Sequence, residues 1–461
     1  MNFRFLAVFA SIIFFFSSCG NDDPIISDDG NIADTLQGPK QYGEPFDKIP
    51  ETRDINMYEV NPMVFSAAGN LDGVTERLDS IKKLGINVVW LMPIYPTGDV
   101  KSVGSPYAIK VYDKVKKEYG TLDDLRNLVA KAHELEMAVI LDWVANHTAW
   151  DNHWLNNKEW YTQNSSGAVI HPPGTNWQDV ADLNFDSQEM RAEMIKMMKY
   201  WVLEANVDGY RCDYAHGVPS DFWQQAIDTL RSIPNRELIM FAETEDKDLA
   251  DAGFDLIFGW PYYTAIKNVF NGEKASGLFS KHRNEYGALD NDKHIVRWIS
   301  NHDESAWNTS PQNAFGSQDA ALAAFAITAY MGGVPLIYNG QEVGISQQIP
   351  FFEGSNYTLN WKENPHIFKQ YQYIINFRNE SEIIRKKSLQ DWSNDNVICF
   401  SKKNGENYVL VLANTSVTTS EISIPEELKG KSWELAFSKK AFILKDEITL
   451  GSYELIVLES M

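Results

Sequence analysis

The strongest constraint on the fold is a regular alternation of short apolar segments with amphipathic segments from Asp54 to about Arg385. Short runs rich in β-branched residues predict strands, and apolar residues three and four positions apart predict helices between them. Eight strands that alternate with helices over about 330 residues favour a (β/α)8 TIM barrel over an open doubly wound sheet. The predicted strands are Met57–Val60, Val88–Met92, Ala138–Asp142, Val207–Cys212, Leu238–Ala242, Phe254–Phe258, Ile295–Ser300 and Val334–Tyr338, and the predicted helices are Leu122–Leu135, Gln188–Glu204, Ser220–Ile233, Ser317–Met331 and Phe368–Asn379.

Two segments depart from this alternation. Residues 146–184, after the third strand, are rich in Trp, Asn, Gly and Pro and have little helical period, which predicts an inserted subdomain within a barrel domain of residues 51–387. From residue 388 to residue 461 the chain alternates apolar and polar residues between turns. This pattern predicts a C-terminal antiparallel β-sandwich.

The N-terminus has the features of an export signal. Arg4, the apolar run Phe5–Phe16 and the pair Ser17-Ser18 predict a signal peptide over residues 1–18, and the run is too short to span a bilayer. Cys19, followed by Gly20, resembles the lipobox of bacterial lipoproteins, which implies lipidation of Cys19. Residues 19–50 are rich in Asp, Gly and Pro and predict a flexible tether. We therefore expect an outer-membrane lipoprotein that is exposed to the periplasm or the cell surface.

The net charge of the chain restricts the classes of partner that it can bind. The 63 Asp and Glu exceed the 41 Lys and Arg, for a net charge of −22, so the surface repels polyanions and nucleic acid is not expected as a partner. A neutral polymer is not repelled, and 14 Trp, 20 Tyr and 24 Phe offer ring faces on which sugars can stack. Cys212 and Cys399 lie too far apart in sequence to indicate a disulfide framework, so we expect both to be buried and reduced.

Carboxylates follow four of the predicted strands. Asp142, Asp213, Glu243 and Asp303 stand at the ends of the third, fourth, fifth and seventh strands. Each alone could cap a helix or form a structural ion pair. Because the carboxyl ends of barrel strands meet at one rim, together they crowd like charges, which indicates a cation, a shared proton or a reaction.

Such crowding suits glycosidic bond cleavage, which needs one carboxylate as nucleophile and a protonated carboxyl as acid. Arg211 lies two residues before Asp213, so both point to one side of a strand, and we expect the guanidinium to hold Asp213 ionised as the nucleophile. Glu243 follows the apolar run Leu238–Ala242. Desolvation there is expected to keep its carboxyl protonated, as an acid/base requires.

From about Met57 to Gly344 the chain resembles the alpha-amylase family of retaining glycoside hydrolases. Several motifs occur in the family's order, which is more specific than any one of them. They are Asp142–His147, Ala181-Asp-Leu-Asn184, Gly209–Asp213, Ala242-Glu243, Asn301-His302-Asp303 and Gly333–Glu342.

The resemblance implies a role for each site residue. It assigns Asp213 as nucleophile, Glu243 as acid/base and Asp303 as a third carboxylate that stabilises the oxocarbenium-like state. It also implies that His147 and His302 bind the sugar, Arg211 orients Asp213, Tyr107 is an aromatic platform and Asp142 supports Arg211. Two departures from the family pattern are present. His216-Gly217 replaces a frequent Lys-His pair, which affects contacts beyond the cleaved bond, and Lys110–Asp113 stands where the family more often has Asp-Tyr.

The family's structural calcium is implied as a possible cofactor. Its ligands would be the side chains of Asn146 and Asp182 and the carbonyl of Gly217, oxygen donors of the kind that calcium prefers. The ion would attach the inserted subdomain to the barrel. No organic cofactor is expected.

The expected function is retaining hydrolysis of α-1,4-glucosidic bonds in starch, maltodextrin or related α-glucans through a glycosyl-enzyme intermediate. One alternative is an α-glucan transglycosylase or isomerase on the same scaffold, which product lengths would reveal. Another is a non-catalytic glucan-binding surface lipoprotein that serves a glycan-uptake system. Chain-length preference, branch tolerance and endo or exo action stay open.

Overall fold

A computed structural model of the protein describes residues 39–287 and 289–461. The predicted signal peptide, the lipidation site at Cys19 and most of the predicted tether lie outside these residues. Residues Gln41–Met461 form one compact unit. In the described part of the chain, no helix has the length and apolar character needed to cross a bilayer.

A closed barrel of eight parallel strands forms the centre of this unit, which confirms the predicted TIM barrel. Its strand order is β1-β10-β9-β8-β7-β6-β3-β2, and β4 and β5 form a separate antiparallel pair. No end of a predicted strand is displaced by more than three residues. The strands are β1 (Met57–Val60), β2 (Val88–Leu91), β3 (Ala138–Val144), β4 (His147–Ala149), β5 (Val180–Asp182), β6 (Gly209–Asp213), β7 (Ile239–Ala242), β8 (Leu256–Phe258), β9 (His294–Arg297) and β10 (Val334–Tyr338).

Helices connect the barrel strands and cover their outer face. All five predicted helices are present, and α4 begins with a capping box between Thr121 and Asp124. The helices are α1 (Pro62–Phe65), α2 (Leu71–Thr75), α3 (Leu78–Lys83), α4 (Leu122–Glu134), α5 (Gln188–Glu204), α6 (Ser220–Arg231), α7 (Asp248–Asp251), α8 (Trp260–Phe270), α9 (Gly277–Tyr286), α10 (Pro311–Ala314), α11 (Gln318–Tyr330), α12 (Pro365–Glu380) and α13 (Glu382–Arg385).

The long segment after β3 contains the pair β4 and β5, in which His147 stands opposite Asp182. The C-terminal strands form an antiparallel six-stranded sheet and a two-stranded sheet around an apolar core of their own. This confirms the predicted antiparallel C-terminal architecture. The strands are β11 (Gln390–Asp391), β12 (Val397–Asn404), β13 (Asn407–Asn414), β14 (Ser420–Ser423), β15 (Trp433–Leu435), β16 (Ala441–Phe442), β17 (Glu447–Leu450) and β18 (Leu455–Ser460).

The chain contacts the barrel before the predicted end of the tether at residue 50. The backbone N–H of Tyr42 donates to the carbonyl of Leu203 at 2.7 Å. Phe46 is 9% exposed and stacks on His133, with ring centroids 4.4 Å apart. Burial of the Phe46 ring favours this packing over a solvated chain.

Both cysteines of the described chain, Cys212 and Cys399, are buried and free, as expected. Cys212 lies in β6, directly between Arg211 and Asp213. Burial raises the pKa of its thiol well above the usual range. The Cys212 thiol therefore stays protonated and packs as a small apolar side chain.

Candidate active site

A cleft of about 1070 Å³ opens at the carboxyl ends of the barrel strands. This volume is at the upper end of the roughly 300–1,000 Å³ typical of small-molecule sites, so the cleft has room for an oligomeric ligand. The three predicted catalytic carboxylates all line it, as do three of the four predicted substrate-binding residues. These residues are Asp213, Glu243, Asp303, Tyr107, His147 and His302.

Arg211, the fourth predicted substrate-binding residue, lies beneath the cleft and is fully buried. Its Nη1 contacts Asp142 Oδ1 at 2.8 Å and Asp213 Oδ1 at 3.0 Å, and its Nη2 lies 2.9 Å from Glu243 Oε2. Strand alternation accounts for the contact with Asp213, because residues 211 and 213 share a face of β6. One guanidinium thus contacts three carboxyl groups.

Asp142 is a buried support for Arg211, as the sequence predicts. Its Oδ2 accepts hydrogen bonds from Trp90 Nε1 at 3.1 Å and from the hydroxyl of Tyr107 at 3.0 Å. Its Oδ1 contacts Arg211. Because Asp142 is fully buried inside the barrel, its carboxylate is not accessible to a sugar.

The protonation preferences of the carboxylate pair differ from the expectation. Burial and the neighbouring charge of Glu243 raise the pKa of Asp213 well above its usual range, and Arg211 offsets only part of this. Burial alone would raise the pKa of Glu243 too. Arg211 and the backbone N–H of Tyr214, which lies 2.8 Å from Oε2, outweigh it and lower this pKa. Of the two carboxyl groups, Asp213 therefore has the raised pKa and Glu243 the lowered one.

The sequence analysis predicted the contact of Arg211 with Asp213 but not its contact with Glu243. β6 and β7 are neighbours, with Cys212 opposite Ala242, so the guanidinium reaches Glu243 as well. The expected desolvation of Glu243 is present, but an N–H and a cation also face its carboxylate. These contacts favour the charged form of Glu243.

His302 is held by a carboxylate that the sequence analysis did not identify, Glu59 in β1. His302 Nδ1 lies 2.5 Å from Glu59 Oε1, and Nε2 lies 2.9 Å from the Tyr107 hydroxyl and 3.6 Å from Asp303 Oδ2. Although burial opposes the charged ring, Asp303 and Glu59 raise the pKa of His302 to about 9. His302 is therefore an imidazolium at neutral pH.

His147 has the opposite electrostatic character. It is buried, and desolvation lowers its pKa to about 4. Its ring meets Trp177 edge-on, with centroids 5.7 Å apart, and its Nδ1 is 3.3 Å from the side-chain nitrogen of Asn146. The cleft therefore combines a neutral histidine with a cationic one, two different hydrogen-bonding surfaces for a polar ligand.

Known proteins resemble this chain. Residues 29–172 match the family model described as the alpha amylase catalytic domain. Along 91% of its length the chain is 25% identical to "Alpha-amylase 3" of Dictyoglomus thermophilum, and it covers 94% of that protein. It is 24% identical to "Oligo-1,6-glucosidase" of Bacillus cereus, covering 87% of this chain and 85% of the relative.

A solved structure supports the same relationship. The crystal structure of an alpha-amylase from Lactobacillus plantarum superposes with a TM-score of 0.80 and 26% identity, covering 89% of this chain and 99% of the other. The homologues of this chain are glycoside hydrolases, so the non-catalytic alternative loses support. The chain is an enzyme of the glycoside hydrolase class.

Aromatic rings line the cleft beyond those that the sequence analysis named. Tyr107 stacks on His302, with centroids 5.6 Å apart and planes at 25°, consistent with a ring at the floor of the cleft. The further rings come from segments that follow the barrel strands, where strand patterns do not point them out. They are Trp177, Tyr214, Trp260, Trp307, Phe351 and Phe352.

The three implied calcium ligands lie close together. Asp182 is opposite His147 in the β4–β5 pair, and the carbonyl of Asn146 accepts from the N–H of Leu183 at 3.1 Å. A Cβ added at Gly217 would lie 2.6 Å from Asn146 Oδ1, so this oxygen faces the Gly217 backbone.

The chemistry of these donors fits calcium. Burial raises the pKa of Asp182 above its usual value, as expected for a carboxylate that lacks a strong cationic partner. The described residues contain no group of three or more His, Cys, Asp or Glu suited to a metal. An ion at this place would therefore depend on amide and carbonyl oxygens together with one carboxylate, which are ligands that calcium accepts.

Proposed function

We propose that the protein is a retaining glycoside hydrolase that cleaves α-1,4-glucosidic bonds in starch, maltodextrin or related α-glucans. The observation that carries the proposal is that Asp213 and Glu243 both contact the guanidinium of Arg211, at 3.0 and 2.9 Å. Two carboxyl groups that contact one guanidinium lie close to each other. Such closeness is typical of the retaining mechanism.

In the first step, Asp213 attacks the anomeric carbon while Glu243 gives a proton to the leaving oxygen. The bond from the anomeric carbon to the leaving oxygen breaks as the ester to Asp213 forms. This step requires an ionised Asp213 and a protonated Glu243.

In the second step, Glu243 accepts a proton from water, and the new hydroxide attacks the anomeric carbon. The bond to Asp213 breaks, and the configuration at the anomeric carbon is retained. Asp303 would stabilise the positive charge that develops on the sugar in both steps. The imidazolium of His302 would donate a hydrogen bond to a sugar hydroxyl.

The charge of the cleft favours a neutral substrate. Six carboxylates line it, and among the described lining residues there is no Lys or Arg. A phosphorylated sugar would be repelled there, whereas a neutral glucan would not. The six residues are Asp179, Asp213, Glu243, Glu245, Asp246 and Asp303.

The direct test is to incubate the protein from Gly20 onward with maltoheptaose and to follow product length and anomeric form by proton NMR. We expect shorter products that appear first as α-anomers. Products that appear first as β-anomers would contradict retention, and products longer than the substrate would support the transglycosylase. Glu243→Gln should lose turnover and keep binding, whereas unchanged turnover would remove Glu243 as acid/base.

We also propose that Asn146, Asp182 and the carbonyl of Gly217 hold a structural calcium ion that attaches the inserted segment to the barrel. The ion would contribute binding free energy to the folded state and take no part in the reaction. After a chelator has removed metal ions from the protein, added calcium should raise the midpoint of thermal unfolding, and Asp182→Asn should abolish this increase. An equal increase in this variant would contradict the site.

For localisation, we propose a lipid anchor on Cys19 in the outer membrane, with the folded body available to a glycan-uptake system. The support is the sequence of residues 1–19. Radiolabelled palmitate should enter the wild type but not Cys19→Ser, and only the wild type should fractionate with the outer membrane. Equal labelling of both proteins would exclude Cys19 as the modified residue.

A further inference from the structure

Trp307 stands at the mouth of the cleft with 61% of its surface exposed. Among the described residues it is the only tryptophan with such exposure. A large ring is seldom left in solvent beside a binding site unless a ligand covers it, because burying it is favourable. The question is what kind of ligand would lie on this ring.

The segment that carries Trp307 is anchored. A π-helical turn, Glu304–Asn308, directly follows Asp303. Buried Glu304 accepts a hydrogen bond from the Tyr263 hydroxyl at 2.6 Å and another from the Asn308 side chain at 2.8 Å. A π-helical turn of this kind is frequent at functional sites. Both Asp303, which precedes the turn, and Trp307 within it line the cleft, so this carboxylate and this ring can face the same ligand.

A second loop meets this turn and adds two rings. The Gln348 side chain donates to the carbonyl of Asn308 at 2.6 Å, and the N–H of Ile349 donates to Ser305 Oγ at 3.0 Å. These bonds place Phe351 and Phe352 against the indole. The Trp307 centroid lies 5.9 Å from that of Phe351 and 5.4 Å from that of Phe352.

These rings continue a row that begins beside His302. Phe351 is nearly parallel to Tyr107, with centroids 5.6 Å apart and planes at 10°. The row therefore runs from Tyr107 through Phe351 to the exposed Trp307, across loops that follow β2, β10 and β9 in turn. We call Trp307, Phe351 and Phe352 the outer shelf. Glucose rings are apolar on their faces, and a row of aromatic rings offers them successive stacking surfaces.

We propose that the outer shelf is a sugar-binding subsite, in which Trp307 stacks on a glucose unit of a linear α-glucan beyond the units at the cleaved bond. The proposal rests on the proposed function and adds a substrate preference to it. A chain long enough to reach Trp307 gains the stacking interaction, and a short chain does not. The enzyme therefore favours longer maltooligosaccharides.

The test compares kcat/KM for maltoheptaose with kcat/KM for maltotriose in the wild type, Trp307→Ala and Trp307→Phe. Because an aromatic contact contributes roughly 0.5–1.5 kcal/mol beyond its area, Trp307→Ala should lower the ratio about two- to tenfold. Trp307→Phe should keep a larger ratio than Trp307→Ala. Phe437→Ala removes a ring that is 38% exposed on the C-terminal part of the chain, so it is a matched control whose ratio should stay at the wild-type value.

A ratio unchanged in Trp307→Ala, or lowered equally by Phe437→Ala, would overturn the proposal. Failure of the wild type to hydrolyse either sugar would instead contradict the proposed function. In that case titration calorimetry in the Glu243→Gln background still decides: loss of the affinity difference between the two sugars on adding Trp307→Ala supports the subsite, and an unchanged difference overturns it.

Discussion

Arg211 determines the charge balance of the site at the scale of single residues. It is fully buried and contacts Asp142, Asp213 and Glu243. Removing a buried cation from three carboxylates would leave them uncompensated, a large cost in a low-dielectric interior. The planar fork of the guanidinium is also needed, because two different nitrogens make these contacts.

We predict that Arg211→Lys keeps the charge but lowers kcat/KM on maltoheptaose by about 100-fold or more, because an ammonium cannot contact both carboxylates in the same geometry. Arg211→Gln should lower the thermal midpoint further than Arg211→Lys does. Steady-state kinetics and thermal unfolding of both variants check this. Activity of Arg211→Lys near that of the wild type would contradict the shared-guanidinium account.

The contact of Glu59 with His302 predicts how activity depends on pH. The His302 ring has its pKa raised to about 9 from an ordinary 6.5, so its charged form persists through neutral pH. The groups that face it are Glu59, Asp303 and Tyr107, with Arg211 opposing the charge. The stability that this charge contributes is complete below pH 6.5 and is lost as the pH rises through about 9.

We therefore predict that kcat/KM falls on the alkaline side with a midpoint near pH 9. Glu59→Gln should move that midpoint to lower pH by about one unit, because one of the two carboxylates that favour the imidazolium is neutralised. Glu342→Gln is a matched control, since Glu342 is also buried but is bonded to Tyr58 rather than to His302. An equal displacement of the midpoint in both variants would refute the specific role of Glu59.

At the scale of elements, the contact between β6 and β7 is what brings the two central carboxylates together. Gly209 begins β6 with a φ of +146°, and a Cβ there would lie 1.9 Å from the carbonyl oxygen of Ile239 in β7. Only glycine allows the two strands to approach in this way. The strand pairing that places Arg211 beside Glu243 thus depends on a residue outside the cleft.

We predict that Gly209→Ala lowers the free energy of unfolding by roughly 3 kcal/mol, through backbone strain and displacement of β7. Gly277→Ala, at the start of α9, should change it by less than about 0.5 kcal/mol, because a Cβ there meets nothing within 4 Å. Urea unfolding of both variants measures the difference. Similar stability of the two would contradict the packing described for β6.

The elements also show what sequence patterns can and cannot predict. The barrel strands could be predicted because each is a short buried run, and the partnership of Arg211 with Asp213 followed from alternation along one strand. The contact of Arg211 with Glu243 could not, since it depends on which strands are neighbours. Glu59 was missed although it is the one charged residue in the buried strand β1.

Helices α8 and α9 were missed for a related reason. Aromatic residues make up much of α8, including Trp260, Tyr262 and Tyr263, so both faces look apolar and the helical period is weak. α9 is mostly polar, and two of its four buried side chains, His282 and Glu285, are polar. The outer shelf depends on loops after β9 and β10, and loops have no periodicity from which contacts can be predicted.

At the scale of the whole molecule, a rigid barrel carries a site assembled from many loops. The barrel, the antiparallel C-terminal sheets and the gathering of Asp213, Glu243 and Asp303 at one rim all agree with the sequence analysis. The directions of the pKa shifts of Asp213 and Glu243 do not, because they depend on distances of about 3 Å that only the folded chain defines. Strand positions can therefore be predicted from sequence more reliably than the pKa shifts of buried carboxyl groups.

The central claim is that Asp213 forms a covalent bond with the anomeric carbon of an α-glucan. It is tested most directly with 5-fluoro-α-glucosyl fluoride, which slows hydrolysis of the glycosyl-enzyme, followed by mass spectrometry of the digested protein. We predict one added fluoroglucosyl group on the peptide that contains Asp213, and none in Asp213→Asn. A covalent sugar on another carboxylate, or inactivation with no sugar on Asp213, would contradict the account.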